Sequence, residues 1–276
     1  MLIEVEHLTV SFPAESGWRD VVRDVSFSVG KERLGIVGES GSGKSLTARA
    51  LLRLLPTGHR WSAERLRFED IDLLRADEAA LTRLRGRRVG LVLQDPRFSL
   101  NPVMTAGQQI AETWRTHKGG SRRDARSAAI DLLRQMRIGD PERVADAYPH
   151  ELSGGLGQRV MIAMMLAPDP DLLIADEPTS ALDAAVQVEI LRLLDDLVAR
   201  RGMGLVLISH DLPMVSRHCD RIIVMRAGQI VEEVPAGGLA EARHPYTRGL
   251  LRCLPSLLHP RARLPSLRDT SGWPAS

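Results

Sequence analysis

The fold of this 276-residue chain is decided by the stretch Gly38-Glu39-Ser40-Gly41-Ser42-Gly43-Lys44-Ser45. A short apolar run, 34–37, precedes it, and a segment rich in helix formers, 46–55, follows it. A strand, a glycine-rich turn, a Lys-Ser pair and a helix are together the parts of a phosphate-binding P-loop. The glycines let backbone N–H groups face an anion at the helix N-terminus. We therefore predict nucleotide binding, with Lys44 reaching the β- and γ-phosphates and Ser45 ligating Mg²⁺.

Two adjacent carboxylates, Asp176 and Glu177, end a second apolar run at 172–175. Alone, such a pair is often a solvated strand end. In a chain with a P-loop, the first carboxylate can hold Mg²⁺, directly or through water, and the second can orient and deprotonate a water molecule. His210 follows the apolar strand 205–208, at the end of an α/β sheet where ligands bind.

A second glycine-rich segment, Ser153-Gly154-Gly155, opens a predicted helix. Ser153 suits the N-cap position, and the two glycines expose further backbone amides. One γ-phosphate does not need two such cradles from the same chain. The segment therefore predicts a composite phosphate site between two chains, although the same pattern in isolation would indicate only a loop.

The composition is that of an ordinary folded protein with no strong charge bias. There are 37 Lys and Arg against 35 Asp and Glu, a net charge of +2, which gives no case for nucleic-acid binding. The two cysteines, Cys219 and Cys253, are far apart and predict neither a disulfide framework nor a metal site. We expect no signal peptide and no membrane span, so any membrane work would need another chain.

The hydrophobic pattern predicts strands and helices in the order of an α/β protein. Strands are predicted over 2–10, 21–29, 34–37, in short pieces between 61 and 75, and over 89–93, 172–175, 203–208, 221–225 and 229–231. Helices are predicted over 46–55, 77–85, 103–115, 122–137, 141–147, 154–166, 184–200 and 246–253. Residues 13–20 are predicted to be a loop, and the chain from 265 onward to be poorly ordered.

Together these segments resemble the ATP-binding subunit of ABC transporters, with six elements in the family's order across residues 2–235. The resemblance implies a Walker A loop at 38–45, a Q-loop glutamine at Gln94 and a Walker B strand at 174–177. It also implies the signature motif at 153–155, a D-loop at 180–183 and a switch histidine at His210. Phe12 falls where the family places the aromatic side chain that stacks on adenine.

The resemblance assigns a role to each matching residue. The implied nucleotide-binding residues are Phe12, Gly38, Glu39, Ser40, Gly41, Ser42, Gly43, Lys44, Ser45 and Gln94. The implied Mg²⁺ ligands are Ser45, Gln94 and Asp176, and the implied catalytic residues are Lys44, Glu177 and His210. The implied contacts to a partner's ATP are Ser153, Gly154, Gly155 and Gln158, with Asp183 in the D-loop.

Two further segments narrow the resemblance to the branch that energises peptide and nickel importers. These are 94–102, with its flanking prolines, and His244-Pro245-Tyr246-Thr247 before an apolar helix. The signature helix 158–164 matches that branch as well. Two positions depart from the family: Leu156 replaces the usual glutamine, and Gly157 replaces a basic residue at a cost of about 1 kcal/mol of helix stability. Because Cys253 stands alone in the C-terminal segment, we expect no iron–sulfur cluster of the kind many members carry there.

The resemblance implies an α/β P-loop NTPase core of the RecA type, with an N-terminal antiparallel β subdomain and an inserted helical subdomain at about 95–167. The ATPase domain would span 1–235, and 236–276 would be a tail with one short helix. ATP and Mg²⁺ are the implied cofactors. The implied partners are integral-membrane permease subunits, a second identical or related ATPase subunit and, indirectly, a solute-binding protein, but no nucleic acid. The implied location is the cytoplasmic face of the inner membrane, as a peripheral subunit.

Two other functions are weighed against the importer. A soluble ABC ATPase acting on DNA or ribosomes would be expected to carry long coiled-coil insertions or two P-loops, and this chain has one P-loop and no sustained heptads. A regulatory subunit that does not hydrolyse ATP would be expected to lose Glu177 or His210, and both are present. The sequence leaves open the transported solute, which includes peptides, nickel and metal chelates, and whether the ATPase pair is homodimeric.

Overall fold

The computed structural model describes residues 1–253, and its strands form two sheets. The strands are, in chain order, β1 (Ile3–Ala14), β2 (Gly17–Val29), β3 (Arg33–Val37), β4 (Arg60–Ser62), β5 (Arg65–Phe68), β6 (Ile71–Asp72), β7 (Val89–Val92), β8 (Leu172–Asp176), β9 (Gly204–Ser209), β10 (Arg221–Arg226) and β11 (Gln229–Pro235). The antiparallel sheet has the order β2-β1-β5-β6, with β4 also paired to β1. The larger sheet has the order β11-β10-β3-β9-β8-β7 and is parallel except for β11 at its edge.

The helices fill the connections between the strands. They are α1 (Lys44–Leu51), α2 (Glu78–Leu84), α3 (Ala106–Lys118), α4 (Arg122–Gln135), α5 (Pro141–Asp146), α6 (Gly154–Leu166), α7 (Ala184–Arg201), α8 (Leu212–His218) and α9 (Pro245–Arg252). Short 3₁₀ turns occur at Pro96–Phe98, Pro149–Glu151 and Ala236–Glu241. Helices α3 to α6 pack on one another between β7 and β8, as the inserted helical segment predicts. No helix within residues 1–253 has both the length and the apolar character to cross a membrane.

The parallel sheet is covered on both faces, and the alternation along β8 shows how. Leu172 and Ile174 belong to the apolar cluster shared with the antiparallel sheet and α1. Leu173 and Ala175 point the other way, into the cluster shared with α6 and α7. Because both faces are buried, the strand is a continuous apolar run, which is typical of parallel sheets.

Three strands, β1, β2 and β11, are longer than predicted. The loop predicted at 13–20 is instead a tight hairpin, in which Ala14 of β1 lies opposite Gly17 of β2. A cross-strand bond of 2.6 Å from the Ser11 hydroxyl to the Asp20 carboxylate supports it. Gly17, at φ +114°, supplies the left-handed backbone that the turn needs. Strand β11, predicted to end at residue 231, pairs with β10 as far as Pro235.

Several helix bounds also differ from the prediction. Helix α1 ends at Leu51 rather than at 55, because Arg53 adopts φ +51° and the Leu54 N–H turns back to the Arg49 carbonyl. Helix α3 begins at Ala106 rather than at 103, since Thr105 forms a capping box with Gln108. Helix α8 was not predicted, although Asp211 before Leu-Pro is a helix start signal. The disorder predicted from residue 265 lies outside the described residues.

Candidate functional site

The predicted P-loop connects β3 to α1 and folds tightly over the end of the sheet. A β-carbon at Gly38 would lie 2.2 Å from the carbonyl oxygen of Met225 in β10, so this position has no room for a side chain. Gly43 is the N-cap of α1 and adopts φ +99°, which favours glycine. The loop is therefore shaped by close backbone packing as well as by backbone freedom.

Lys44 is enclosed by the loop that it belongs to. Its ammonium donates to the carbonyl oxygens of Gly38 and Glu39, both at 2.8 Å, and lies 3.4 Å from the Ser42 hydroxyl. The side chain is only 5% exposed. Burial lowers the pKa of Lys44, and the charges of Glu177, Asp176 and Glu39 oppose that shift. The arrangement holds a desolvated ammonium at the centre of the loop, where its electrostatic attraction for an anionic phosphate would be strongest.

Ser45 and Asp176 form the second contact of the site. The Ser45 hydroxyl donates to Oδ1 of Asp176 at 2.7 Å. Asp176 ends β8 and is buried, and this burial raises its pKa against the opposing effect of the Ser45 bond. The positive charges of Arg49 and Lys44 do not offset the loss of water around an ionised carboxylate at this position. A hydroxyl and a carboxylate are oxygen ligands that Mg²⁺ prefers, so the two residues fit the predicted metal.

Glu177 and His210 lie at the same edge of the sheet, after the adjacent strands β8 and β9. His210 Nδ1 is 3.4 Å from Oε2 of Glu177. Glu177 adopts φ +48°, and its N–H donates to the Ile208 carbonyl at 2.9 Å. A left-handed backbone at a non-glycine residue is strained, and such strain is often found at functional sites. The pair can accept a proton from water and hold the resulting charge.

Gln94 and Phe12 lie at the margins of this group. Gln94 is exposed, two residues after β7, and in residues 1–253 no hydrogen bond joins it to the P-loop or to Asp176. Phe12 is half-buried in β1 opposite Arg19 of β2, and it packs against the core of the antiparallel sheet. A cavity of about 570 Å³ separates this hairpin from the P-loop, with Arg19, Arg23 and Gly41 among its lining residues.

The signature segment opens α6, in the inserted helical segment. Ser153 caps α6 by accepting from the Leu156 N–H at 3.4 Å, and Gly154 is exposed. Gln158 is buried, and within the described chain its Nε2 has no hydrogen-bond partner. Across residues 1–253, no hydrogen bond or ion pair joins 153–158 to 38–45.

Two neighbouring features are the close approach of α6 to the segment after Gln94 and the cap of α7. Gly157 is buried, and a β-carbon there would meet Cγ of Pro96 at 3.3 Å, so glycine allows α6 to approach the segment after Gln94 closely. This close contact explains why a residue of low helix propensity occupies position 157 in α6. Asp183 is exposed and caps α7 by accepting from the Val186 N–H at 3.1 Å.

One residue at the P-loop was not predicted. The hydroxyl of Tyr246 in α9 accepts a hydrogen bond from the backbone N–H of Glu39 at 3.1 Å. The sequence signal was present as His-Pro-Tyr-Thr, but it pointed only to a branch of a family and not to a contact with the loop. The structure brings Lys44, Ser45, Asp176, Glu177 and His210 together, adds Tyr246, and leaves the signature segment separate.

Comparison with known proteins gives consistent results. The ABC transporter family profile matches residues 22–180. The dipeptide transport ATP-binding protein DppD of Haemophilus influenzae is 47% identical over 269 residues, which are 97% of this chain and 82% of that protein. DppD of Escherichia coli K12 is 48% identical over 268 residues, with 96% and 82% coverage.

Solved structures show the same fold. The ATP-binding cassette MJ0796, in a dimeric post-hydrolysis state bound to ADP and Pi, matches with a TM-score of 0.75 and 28% identity. The match covers 85% of this chain and 98% of that one. The structure of cbiO1 from Clostridium perfringens, part of the complex cbiONQ, matches with a TM-score of 0.73 over 91% and 95% of the two chains. Its 24% identity speaks for the fold alone.

Proposed function

This chain belongs to the ABC transporter family and is an ATPase subunit, and from that premise we propose that it drives the uptake of dipeptides through separate permease subunits. We choose dipeptides as the solute because this chain is 47% identical, over 97% of its length, to a protein named for dipeptide transport. The resemblance of 94–102 and of His-Pro-Tyr-Thr to the peptide and nickel branch agrees with it. Nickel is the alternative solute.

We assign the chemistry to the residues gathered at the sheet edge. The loop 38–45 binds the phosphates, with Lys44 moving from the loop carbonyls to the β- and γ-phosphates. Ser45 and Asp176, with Gln94, hold Mg²⁺, which when bound supplies charge neutralisation for the transferred phosphoryl group. The contact of 2.7 Å between Ser45 and Asp176 supports this assignment.

The proton transfer falls to Glu177. Its carboxylate accepts a proton from the attacking water as the γ-phosphate is cleaved, and His210 positions the water and the phosphate. The distance of 3.4 Å between the two side chains supports a shared role. Phe12 is proposed to stack on adenine; its cross-strand neighbour Arg19, and not Phe12 itself, lines the cavity beside Gly41 of the P-loop.

The working unit is proposed to be a pair of such subunits on the cytoplasmic face of the membrane. Each ATP lies between the P-loop of one subunit and the segment 153–158 of the other, with Asp183 at the boundary. The lack of a hydrogen bond or ion pair between the two segments within residues 1–253 supports this arrangement, and so does the dimeric state of the related cassette MJ0796. The ATPase domain is proposed to span 1–235, with a permease contacting the segment that follows Gln94.

Uptake measurements in the source cell test the choice of solute. A chromosomal Lys44→Ala variant should lose uptake of a labelled dipeptide and keep uptake of ⁶³Ni²⁺. The matched control is Lys31→Ala, because Lys31 is an exposed lysine outside the site. Loss of nickel uptake with intact dipeptide uptake would replace peptide with nickel, and unchanged uptake of both would overturn the proposed solute class.

A pull-down from detergent-solubilised membranes tests the partners. With ATP present, the tagged chain should recover two integral-membrane permeases and a second ATPase subunit. Recovery of ribosomes or DNA without permeases would contradict the transport assignment and leave the ATPase assignment intact.

A further inference from the structure

The side chain of Tyr246 reaches the P-loop from the far end of the described chain. Tyr246 lies in the first turn of α9 and is 1% exposed. Its hydroxyl accepts from the backbone N–H of Glu39 at 3.1 Å, across 207 positions in the sequence. The bond ties an amide of the loop to a buried side chain from a different part of the chain.

The bond fixes one particular peptide unit. The N–H of Glu39 and the carbonyl of Gly38 belong to the same planar group, so they rotate together. The N–H donates to Tyr246, and the carbonyl accepts from the Lys44 ammonium at 2.8 Å. Rotation of this peptide would break both bonds and turn an N–H toward the ammonium. Tyr246 and Lys44 therefore hold the same group from opposite sides.

The position of Tyr246 is itself fixed by the edge of the parallel sheet. Glu232 of β11 accepts from the backbone N–H groups of Arg243 and His244, at 2.6 and 3.1 Å, just before α9 begins. The Arg226 guanidinium of β10 lies over the Tyr246 ring, 5.3 Å from its centroid. Strand β10 in turn pairs with β3, the strand that leads into the loop.

We propose that Tyr246 is a positioning residue for the nucleotide site, a role that rests on the proposed function of the P-loop. Tyr246 sets the orientation of the Gly38–Glu39 peptide, and through that peptide it sets the place from which Lys44 reaches the phosphates. The first turn of α9 is in this sense part of the nucleotide-binding site. Loss of the hydroxyl loosens the loop before nucleotide arrives, so it weakens ATP binding more than it slows the chemical step.

The test compares Tyr246→Phe with the full-length wild type. The variant should raise the Kd for a fluorescent ATP analogue and the KM for ATP by about three- to tenfold, as expected for one neutral hydrogen bond. Its kcat should stay within about twofold of the wild-type value. The control is Tyr148→Phe, because Tyr148 is the only other tyrosine and is 41% exposed. An unchanged Kd in Tyr246→Phe would overturn the inference, and a wild type that binds no ATP would overturn both it and the proposed function.

A second measurement does not depend on the variant folding. In nucleotide-free wild type labelled with ¹⁵N-glutamate, the Glu39 amide should exchange with deuterium at least about 100-fold more slowly than an unstructured amide. Glu39 itself is exposed, so this protection would come from the bond to Tyr246. Free exchange of this amide would overturn the inference while leaving the ATPase assignment untouched.

Discussion

The Ser45 hydroxyl and the Asp176 carboxylate meet at 2.7 Å, although 131 positions separate them in the chain. The contact joins the first turn of α1 to the end of β8 and places a carboxylate, buried to 5% exposure, beneath the P-loop. Burial raises the pKa of Asp176, so the protein without metal carries a charged group that its surroundings disfavour. The residue therefore opposes stability in the empty site and gains a partner when a cation binds.

Replacement of Asp176 by Asn should separate these two effects. In Asp176→Asn the free energy of unfolding without nucleotide should increase, since the amide carries no charge to bury, and Mg²⁺-dependent hydrolysis should fall by about 100-fold or more. Calorimetry should show a higher melting temperature, by about 2–4 °C for each kcal/mol gained. Asp70→Asn, an exposed position, is the control. A lower melting temperature in the nucleotide-free variant would contradict the argument.

The sign of the pH dependence follows from the raised pKa. As pH rises, an unfolded Asp176 loses its proton first, near the ordinary value of about 3.8, and the folded residue loses it later. Between these two pKa values the folded state binds more protons, so this residue's contribution to stability decreases as pH rises and stays low above the folded pKa. The difference between wild type and Asp176→Asn should therefore disappear below pH 3.8 and be largest above the folded pKa.

The proposed base is tested by Glu177→Gln. The amide keeps the size of the side chain but accepts no proton, so ATP binding should persist while kcat falls by about 10²- to 10⁴-fold. With ATP and no hydrolysis, the variant should also accumulate as a closed pair, seen as a stable dimer by size-exclusion chromatography with light scattering. Glu112→Gln, at an exposed position of α3, should behave as wild type. Near-normal turnover in Glu177→Gln would move the base to another residue.

Much of this site was predictable because local sequence determines it. The P-loop is continuous in the chain, and its glycines and flanking elements specify its shape. Asp176, Glu177 and His210 each follow an apolar strand, and parallel strands bring their carboxyl ends to one edge of the sheet. This rule places all three at the ligand-binding edge of the sheet without any knowledge of the strand order.

The features that sequence reasoning missed depend on distant contacts. The bond from the Glu39 amide to Tyr246 is made between segments that no local pattern relates. The early end of α1 depends on the backbone of Arg53, which bonds through its side chain to the carbonyl of Ala76. In α7 the apolar period groups Val188 with Leu191 and Leu194, but Val188 is 45% exposed, and the buried residues of the helix include Ile190 and Leu193. Tertiary packing determines each of these three features, and the hydrophobic periodicity of the sequence alone does not predict them.

The composite site predicts that two inactive variants restore activity together. Ser153→Arg removes the cap of α6 and places a bulky cation on the amides, while Lys44→Ala disables the P-loop. If each site combines the P-loop of one chain with segment 153–158 of the other, a mixed pair contains one intact site and regains ATPase activity. If each chain completes its own site, the mixed pair stays inactive.

Mixed pairs purified through two different tags provide the measurement. Ser127→Arg makes the same change at an exposed position of α4 and should be active on its own. Ser153→Ala separates the two contributions of Ser153, because loss of the cap alone should cost about 1 kcal/mol of stability. Failure of the Lys44→Ala and Ser153→Arg pair to hydrolyse ATP would favour sites completed within one chain.

Thiol labelling gives a prediction about the sheet beneath the site. Cys219 is 6% exposed and lies against β3, where a β-carbon at Gly35 would be 3.2 Å from its sulfur. Burial raises the pKa of Cys219 to about 12, so at pH 8 only about 10⁻⁴ of it is thiolate in the folded protein. Cys253, which follows α9, is half-buried and should react first with a disulfide reagent.

In Cys253→Ser the remaining thiol should therefore react at least about 100-fold more slowly than the fast phase of the wild type, and unfolding in guanidinium should restore rapid reaction. Reaction of Cys219 requires local or global opening of the sheet. If this opening also releases the nucleotide, ATP at about 100 times its Kd should slow the reaction by about a further 100-fold. The reason is that a ligand that binds only the closed state reduces the population of the open state by that factor. Rapid labelling of native Cys253→Ser would contradict the burial of Cys219, and slow labelling that ATP leaves unchanged would show that α8 opens independently of the P-loop.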